Sequence, residues 1–149
     1  MRRKDFHRAQ TVESFLFALA LQYVNVPLLI ARTQTSVNTS VVIHDDMSLS
    51  VDVFGNRLLH ITRDSNDNSI NSVYVFSGGC YDNDGNPSDL TRERLNGLLA
   101  ALGDVKVIPK KVRVFMDFDY GMCYLGSGEQ KIAFNRDYTN IVHIKASPN

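Results

Sequence analysis

The run Asp82-Asn83-Asp84-Gly85-Asn86 has the oxygen-bearing residues that a hard cation requires. Counting from Asp82, Asp82, Asp84, Asn86 and Glu93 take the first, third, fifth and twelfth positions of a calcium loop. Pro87 stands where such a loop carries its glycine, and the element before it reads as a strand rather than a helix. The competing reading is a turn built from turn-tolerant residues. Calcium is the cofactor this loop suggests, and no cofactor is the leading expectation. Phosphate or acidic-surface binding is the second chemistry, through Arg92, Arg94, Lys106, Lys110, Lys111 and Arg113. If the helix carrying the first two lies beside the strands carrying the rest, these residues form a basic corner, to which Tyr74, Tyr81, Phe115, Phe118 and Tyr120 would add stacking. Asp117 and Asp119, two apart at a strand end, would share a face as a carboxylate pair, against the plainer reading of a polar strand end. Cys80 follows Gly78-Gly79, but no cysteine-protease signature surrounds it.

Histidines supply a third chemistry. His60-Ile61-Thr62 and His143-Ile144-Lys145 are similar to the paired H-x-T strands of two-histidine phosphoesterases, in which imidazoles serve as acid and base. Lys145 replaces the hydroxyl of the second copy, so the plain reading is a pair of strand histidines. His44, with Asp45, Asp46 and Asp52 nearby in sequence, would hold a transition metal only if the side chains converged. None of these constellations is complete, and the balance leans away from an enzyme.

Composition narrows the field further. The chain's 149 residues suffice for one core, and 16 basic side chains balance 16 acidic ones, so bulk charge does not steer it toward a polyanion. Cys80 and Cys123 form no C-x-x-C pair. Two free thiols in a reducing cytoplasm are expected, with a disulfide between them left open. Arg2-Arg3-Lys4 precede the apolar run Phe15 to Leu21 in the order of a secretory signal, but Asp5, His7, Arg8, Gln10 and Glu13 intervene, and the expectation is a retained helix. That run is well short of the roughly 20 apolar residues that span a bilayer, so no membrane partner is expected.

Positioning these groups falls to a mixed set of elements. Val12, Phe15, Leu16, Leu19 and Tyr23 keep a helical rhythm that predicts a helix over about 11–24, ended near Pro27. Thr39 to His44 is rich in β-branched residues, and Ser48 to Val53 alternates strictly. Leu49, Val51 and Val53 then face a core, while Ser48, Ser50 and Asp52 face water or a partner. Gly55-Asn56 predicts a tight hairpin into Arg57 to Thr62, and Ser72 to Ser77 reads as the next strand. A helix follows from Ser88 or Thr91, with Leu95, Leu98, Leu99 and Leu102 on one face and Gly103 as its C′ residue. Val105 to Ile108, Lys111 to Met116, Met122 to Leu125, Lys131 to Phe134 and Asn140 to Lys145 complete the expected strands. The expected fold is α+β. It is a single domain over 1–149 with an N-terminal helix at about 11–24 and a core at about 38–146, in which two helices pack on a curved antiparallel sheet of about six to eight strands.

Asn38-Thr39, Phe54-Gly55-Asn56, Gly78-Gly79, Thr91-Arg92-Glu93-Arg94-Leu95-Asn96 and Lys110-Lys111 occur in an order that resembles a family of small proteins encoded mainly by bacteriophages and mobile elements. The likeness covers about half the chain. It departs from the family pattern at Cys80-Tyr81, where a tryptophan is usual, and at the loop from Asp82 to Ser88. The resemblance carries no established activity. It implies a phage-type accessory protein in the bacterial host cytoplasm that binds and inhibits a host or defence macromolecule; the open sheet face or the basic corner is the surface expected to do so. A nucleic-acid or nucleotide binder using the basic corner is the alternative.

Overall fold

A computed structural model describes residues 32–34, 39–46, 48–64, 70–104, 106–128 and 130–146. The expected helix over 11–24 lies outside the described residues. Nine strands and one helix are present among them: β1 (Arg32–Gln34), β2 (Thr39–Ile43), β3 (Leu49–Val53), β4 (Asn56–Arg63), β5 (Ile70–Phe76), α1 (Asp89–Asp104), β6 (Arg113–Asp117), β7 (Met122–Gly126), β8 (Lys131–Ala133) and β9 (Ile141–Lys145). They form not one curved sheet with two helices but two antiparallel sheets, ordered β1-β2-β3-β4-β5-β9 and β6-β7-β8, which corrects the expected architecture to a mostly β fold. The split follows from connectivity. β6 to β8 pair with one another through short turns, and the chain then returns so that Ile141 to Lys145 pairs with β5.

The hairpin between β3 and β4 turns through Phe54 (φ 51°) and Gly55 (φ 78°), with Val53 opposite Asn56. Two positive φ angles in a two-residue loop match the right-handed twist of the flanking strands. The turn therefore sits one residue earlier than Gly55-Asn56. Between Val51 and Asp52 the register slips, so that both Leu58 and Leu59 of β4 are buried while Arg57 stays opposite Asp52. This bulge turns the end of the strand without surrendering a core residue.

Ser88 caps α1, its hydroxyl accepting from the Thr91 amide at 3.3 Å and its carbonyl from the Arg92 amide at 2.9 Å. At the other end the Val107 amide donates to the Leu102 carbonyl (2.9 Å) and the Lys106 amide to the Gly103 carbonyl (3.1 Å), with Lys106 at φ 64°. This is a Schellman closure, with the non-glycine Lys106 rather than Gly103 in the left-handed position. The closure takes the chain through Lys106 and Val107, where a strand from Val105 to Ile108 was expected. Leu95, Leu98, Leu99 and Leu102 are fully buried in one hydrophobic cluster with Val51, Leu59, Ile61, Val73 and Val75 of the larger sheet and Val114, Cys123 and Leu125 of the smaller. Asn96 fixes the helix to the smaller sheet, donating Nδ2 to the Val114 carbonyl (2.8 Å) and accepting the Val114 amide (2.7 Å) as a neighbouring strand would.

Candidate functional site

Three neighbourhoods hold the polar chemistry. The first is the face of the larger sheet turned away from α1. Register places Ser50, His60, Tyr74 and His143 in one row across β3, β4, β5 and β9. The Ser50 hydroxyl lies 2.7 Å from both His44 Nε2 and His60 Nδ1, Tyr74 stacks on His143 at 4.8 Å, and His143 Nε2 lies 2.8 Å from the Ser72 hydroxyl. Burial, followed by the charges of Arg57 and His44, holds the His60 imidazole below its ordinary pKa. Hydrogen bonds from the Ser48 hydroxyl and amide hold the Asp46 carboxyl low in turn. Ser48, Ser50 and Asp52 were expected to face water or a partner; all three are buried, with Ser50 between the imidazoles of His44 and His60 and Asp52 against Arg57. His60 and His143 do share a face, but Tyr74 stands between them and two strand spacings put them about 10 Å apart. Ser50, the hydroxyl between two imidazoles, is fully buried. The row can take up protons and make polar and ring contacts, but it presents no exposed nucleophile with its base.

The second neighbourhood joins the aspartate loop to the tip of the β6–β7 hairpin. Asp82 Oδ1 accepts the amides of Asp84 (2.9 Å) and Asn86 (3.0 Å). Burial pushes the Asp82 carboxyl up, but these hydrogen bonds outweigh it and leave the group below the usual range. Asn86 is fully buried and committed to the protein. Its Nδ2 donates to the Gly121 carbonyl at 2.9 Å, and its Oδ1 accepts the Cys123 amide at 3.0 Å and Asn135 Nδ2 at 2.8 Å. Asn135 Nδ2 also donates to the Asp84 carbonyl. Of the four oxygen donors read as a calcium loop, Asn86 therefore faces inward, and Glu93 lies beside the Arg94 guanidinium at 3.7 Å. No group of three histidine, cysteine, aspartate or glutamate side chains suited to a metal occurs among the described residues.

This polar knot holds an exposed tip. Asp117 and Met122 close a four-residue loop, and Asp117 Oδ1 accepts the Asp119 amide at 3.1 Å, so Asp117 serves the turn. Phe118 is 86% exposed and Tyr120 80%. Phe115, by contrast, stacks on Tyr124, and the Lys131 ammonium lies 4.5 Å from the Tyr124 ring centre. The alternation Asp-Phe-Asp-Tyr-Gly between two strands was the available signal for this tip. A polar strand end with aromatics free to stack was the expectation; the structure makes it a turn. Cys80 and Cys123 are both free, and burial pushes the Cys123 thiol up to about 11, which keeps it unreactive.

The third neighbourhood is the basic corner, which the structure divides. Arg94 is 1% exposed. Arg92 pairs with Asp89 and donates to the Pro87 carbonyl at 2.8 Å. Lys106, Lys110 and Lys111 are exposed beyond the opposite end of α1, about 18 Å from Arg92 along the helix axis. Arg113 joins them, donating to the carbonyls of Lys110 (3.0 Å) and Val112 (2.7 Å). Among the described residues no helix is long and apolar enough to cross a membrane. No family model, curated protein or solved structure matches the chain.

Proposed function

We propose that the chain is a non-enzymatic, phage-type accessory protein that binds a protein of the bacterial host or its defences and occludes it, with the Asp117–Gly121 tip as its principal contact. The paired exposure of Phe118 and Tyr120 supports this reading. Two large rings held in water at a braced hairpin tip serve no core, whereas Phe and Tyr are enriched at protein interfaces and Tyr among their hot spots. Among the described residues the other exposed large apolar side chains are Phe54, Ile132, Tyr138 and Ile141, each less exposed than Phe118 and Tyr120. The test compares immobilised wild type with the F118A/Y120A variant in bacterial lysate, scored by quantitative mass spectrometry. A host protein enriched by the wild type and lost from the variant is expected. Equal recovery on both, or no enriched protein, counts against the reading.

Nucleic-acid or nucleotide binding is the second reading, and it draws on the exposed Lys106, Lys110 and Lys111 together with Arg113. Its affinity would fall steeply between about 50 and 200 mM salt as condensed counterions are released. Affinity that ignores salt would exclude it.

A further inference from the structure

We propose that the end of the larger sheet, where β4, β5 and β9 meet, is a binding site for a small ligand bearing an oxyanion. A groove of about 230 Å³ opens there. Arg57 is its cation, and the way Arg57 is held points to a ligand. Its Nε donates to Asp52 Oδ1 at 3.4 Å, with the Asp52 side chain 9% exposed and that of Arg57 38% exposed. Its two terminal nitrogens make no hydrogen bond among the described residues. A buried carboxylate on the Nε side thus orients the guanidinium, while its outer donors remain available. Those donors form the planar fork that matches two oxygens of a carboxylate or phosphate.

The rest of the lining suits such a ligand. Ser77 and Tyr81 place their hydroxyls 2.7 Å apart, and since Ser77 is buried the half-buried Tyr81 hydroxyl is the one of the pair placed to meet a ligand. The amides of Asn56 and Asn140 add neutral donors and acceptors. Phe76 and Ile141 supply an apolar wall for the body of the ligand. Gly79 leaves room for the Asn56 amide that lines the groove. A Cβ on Gly79 would meet the Asn56 amide at 2.5 Å, so the glycine-ended strand and the G-N turn, separate motifs in the sequence, are two halves of one feature. A second guanidinium, that of Arg136, lies 5.6 Å from the ring centre of the lining residue Tyr81. Asp52 is the acid in contact with Arg57, and it sets an upper limit on anion affinity by neutralising part of the guanidinium charge.

The experiment is a ¹H–¹⁵N titration of the full chain with sodium phosphate and, separately, sodium acetate at constant ionic strength, with chloride as the reference anion. Saturable shifts are expected at the amides of Asn56, Ser77, Gly78, Tyr81 and Ile141 with at least one oxyanion and not with chloride. Tighter phosphate binding assigns a phosphoryl-bearing ligand, and tighter acetate binding a carboxylate-bearing one. Arg57→Gln, at a half-exposed position, should keep the remaining spectrum and weaken binding about tenfold or more. Asp52→Asn keeps an acceptor for Nε and removes the competing charge, so it should tighten binding, whereas a purely structural ion pair would show no gain. Shifts that do not saturate, that chloride reproduces, or that persist unchanged in Arg57→Gln overturn the proposal. None of these outcomes depends on the Phe118–Tyr120 tip.

Discussion

Replacing Asn86 by alanine tests whether the polar knot is what holds the aromatic tip in place. The side chain makes three hydrogen bonds: to the Gly121 carbonyl, from the Cys123 amide and from Asn135 Nδ2. Asn135 Nδ2 keeps its bond to the Asp84 carbonyl, and Gly121 is exposed enough for its carbonyl to find water. The Cys123 amide, at a buried residue, is left without its acceptor. Counting about 1–3 kcal/mol for the orphaned amide and about 1 kcal/mol for each of the other two bonds gives a loss of about 3–5 kcal/mol. For a chain of this size that corresponds to a fall in Tm of about 6–20 °C. Urea unfolding followed by circular dichroism measures the loss. Limited chymotrypsin digestion reads the local consequence, because Phe118 and Tyr120 are cleavage sites that a braced turn protects. Destabilisation below about 1 kcal/mol with unchanged cleavage at the tip would refute the role given to Asn86.

Three further outcomes follow from the geometry. Lys106→Gly relieves a left-handed lysine in the helix closure and should stabilise by about 0.5–1 kcal/mol after the added freedom of the unfolded chain is counted; a loss of stability in urea would contradict the Schellman assignment. His60 has a folded pKa below its unfolded value near 6.5, so its contribution is full above that value and is lost as pH falls through it toward the folded pKa. Stability should therefore decline between pH 7.5 and 5.5 less steeply in His60→Gln than in wild type, and parallel curves would show that this imidazole is not responsible. Asp82 and Asp46, both held low, contribute stability that is present above the unfolded value near 3.8 and lost below it. Asp82→Asn should accordingly flatten the acid limb below about pH 4 in a pH-dependent unfolding series.

Much of the frame was legible because local rules acted alone there. The alternation of Leu49, Val51 and Val53 set the core face of β3, although Ser50 and Asp52 between them are buried as well, and the leucines of α1 set the buried side of the helix, where burial and periodicity agree. Other features depended on partners distant in sequence. Nothing local says that Ile141 to Lys145 returns to β5 while β6 to β8 form their own sheet, so a single sheet was the simpler expectation. Arg94 read as a surface charge because arginine is seldom fully buried, and its burial beside Glu93 is set by tertiary packing. Asn86 looked like a cation ligand for a similar reason: the groups that claim it, Gly121, Cys123 and Asn135, lie 35 to 49 residues away. The tip was missed because strand patterning predicts which residues pair and is silent on which aromatic side chains a turn leaves outside.

A photo-crosslinking amino acid placed at Phe118, with the same group at the exposed Phe54 as control, tests the central claim most directly in bacterial cells. One discrete protein adduct at position 118, absent at position 54, is the predicted result. No adduct at position 118, or the same adducts at both positions, would contradict binding through the hairpin tip.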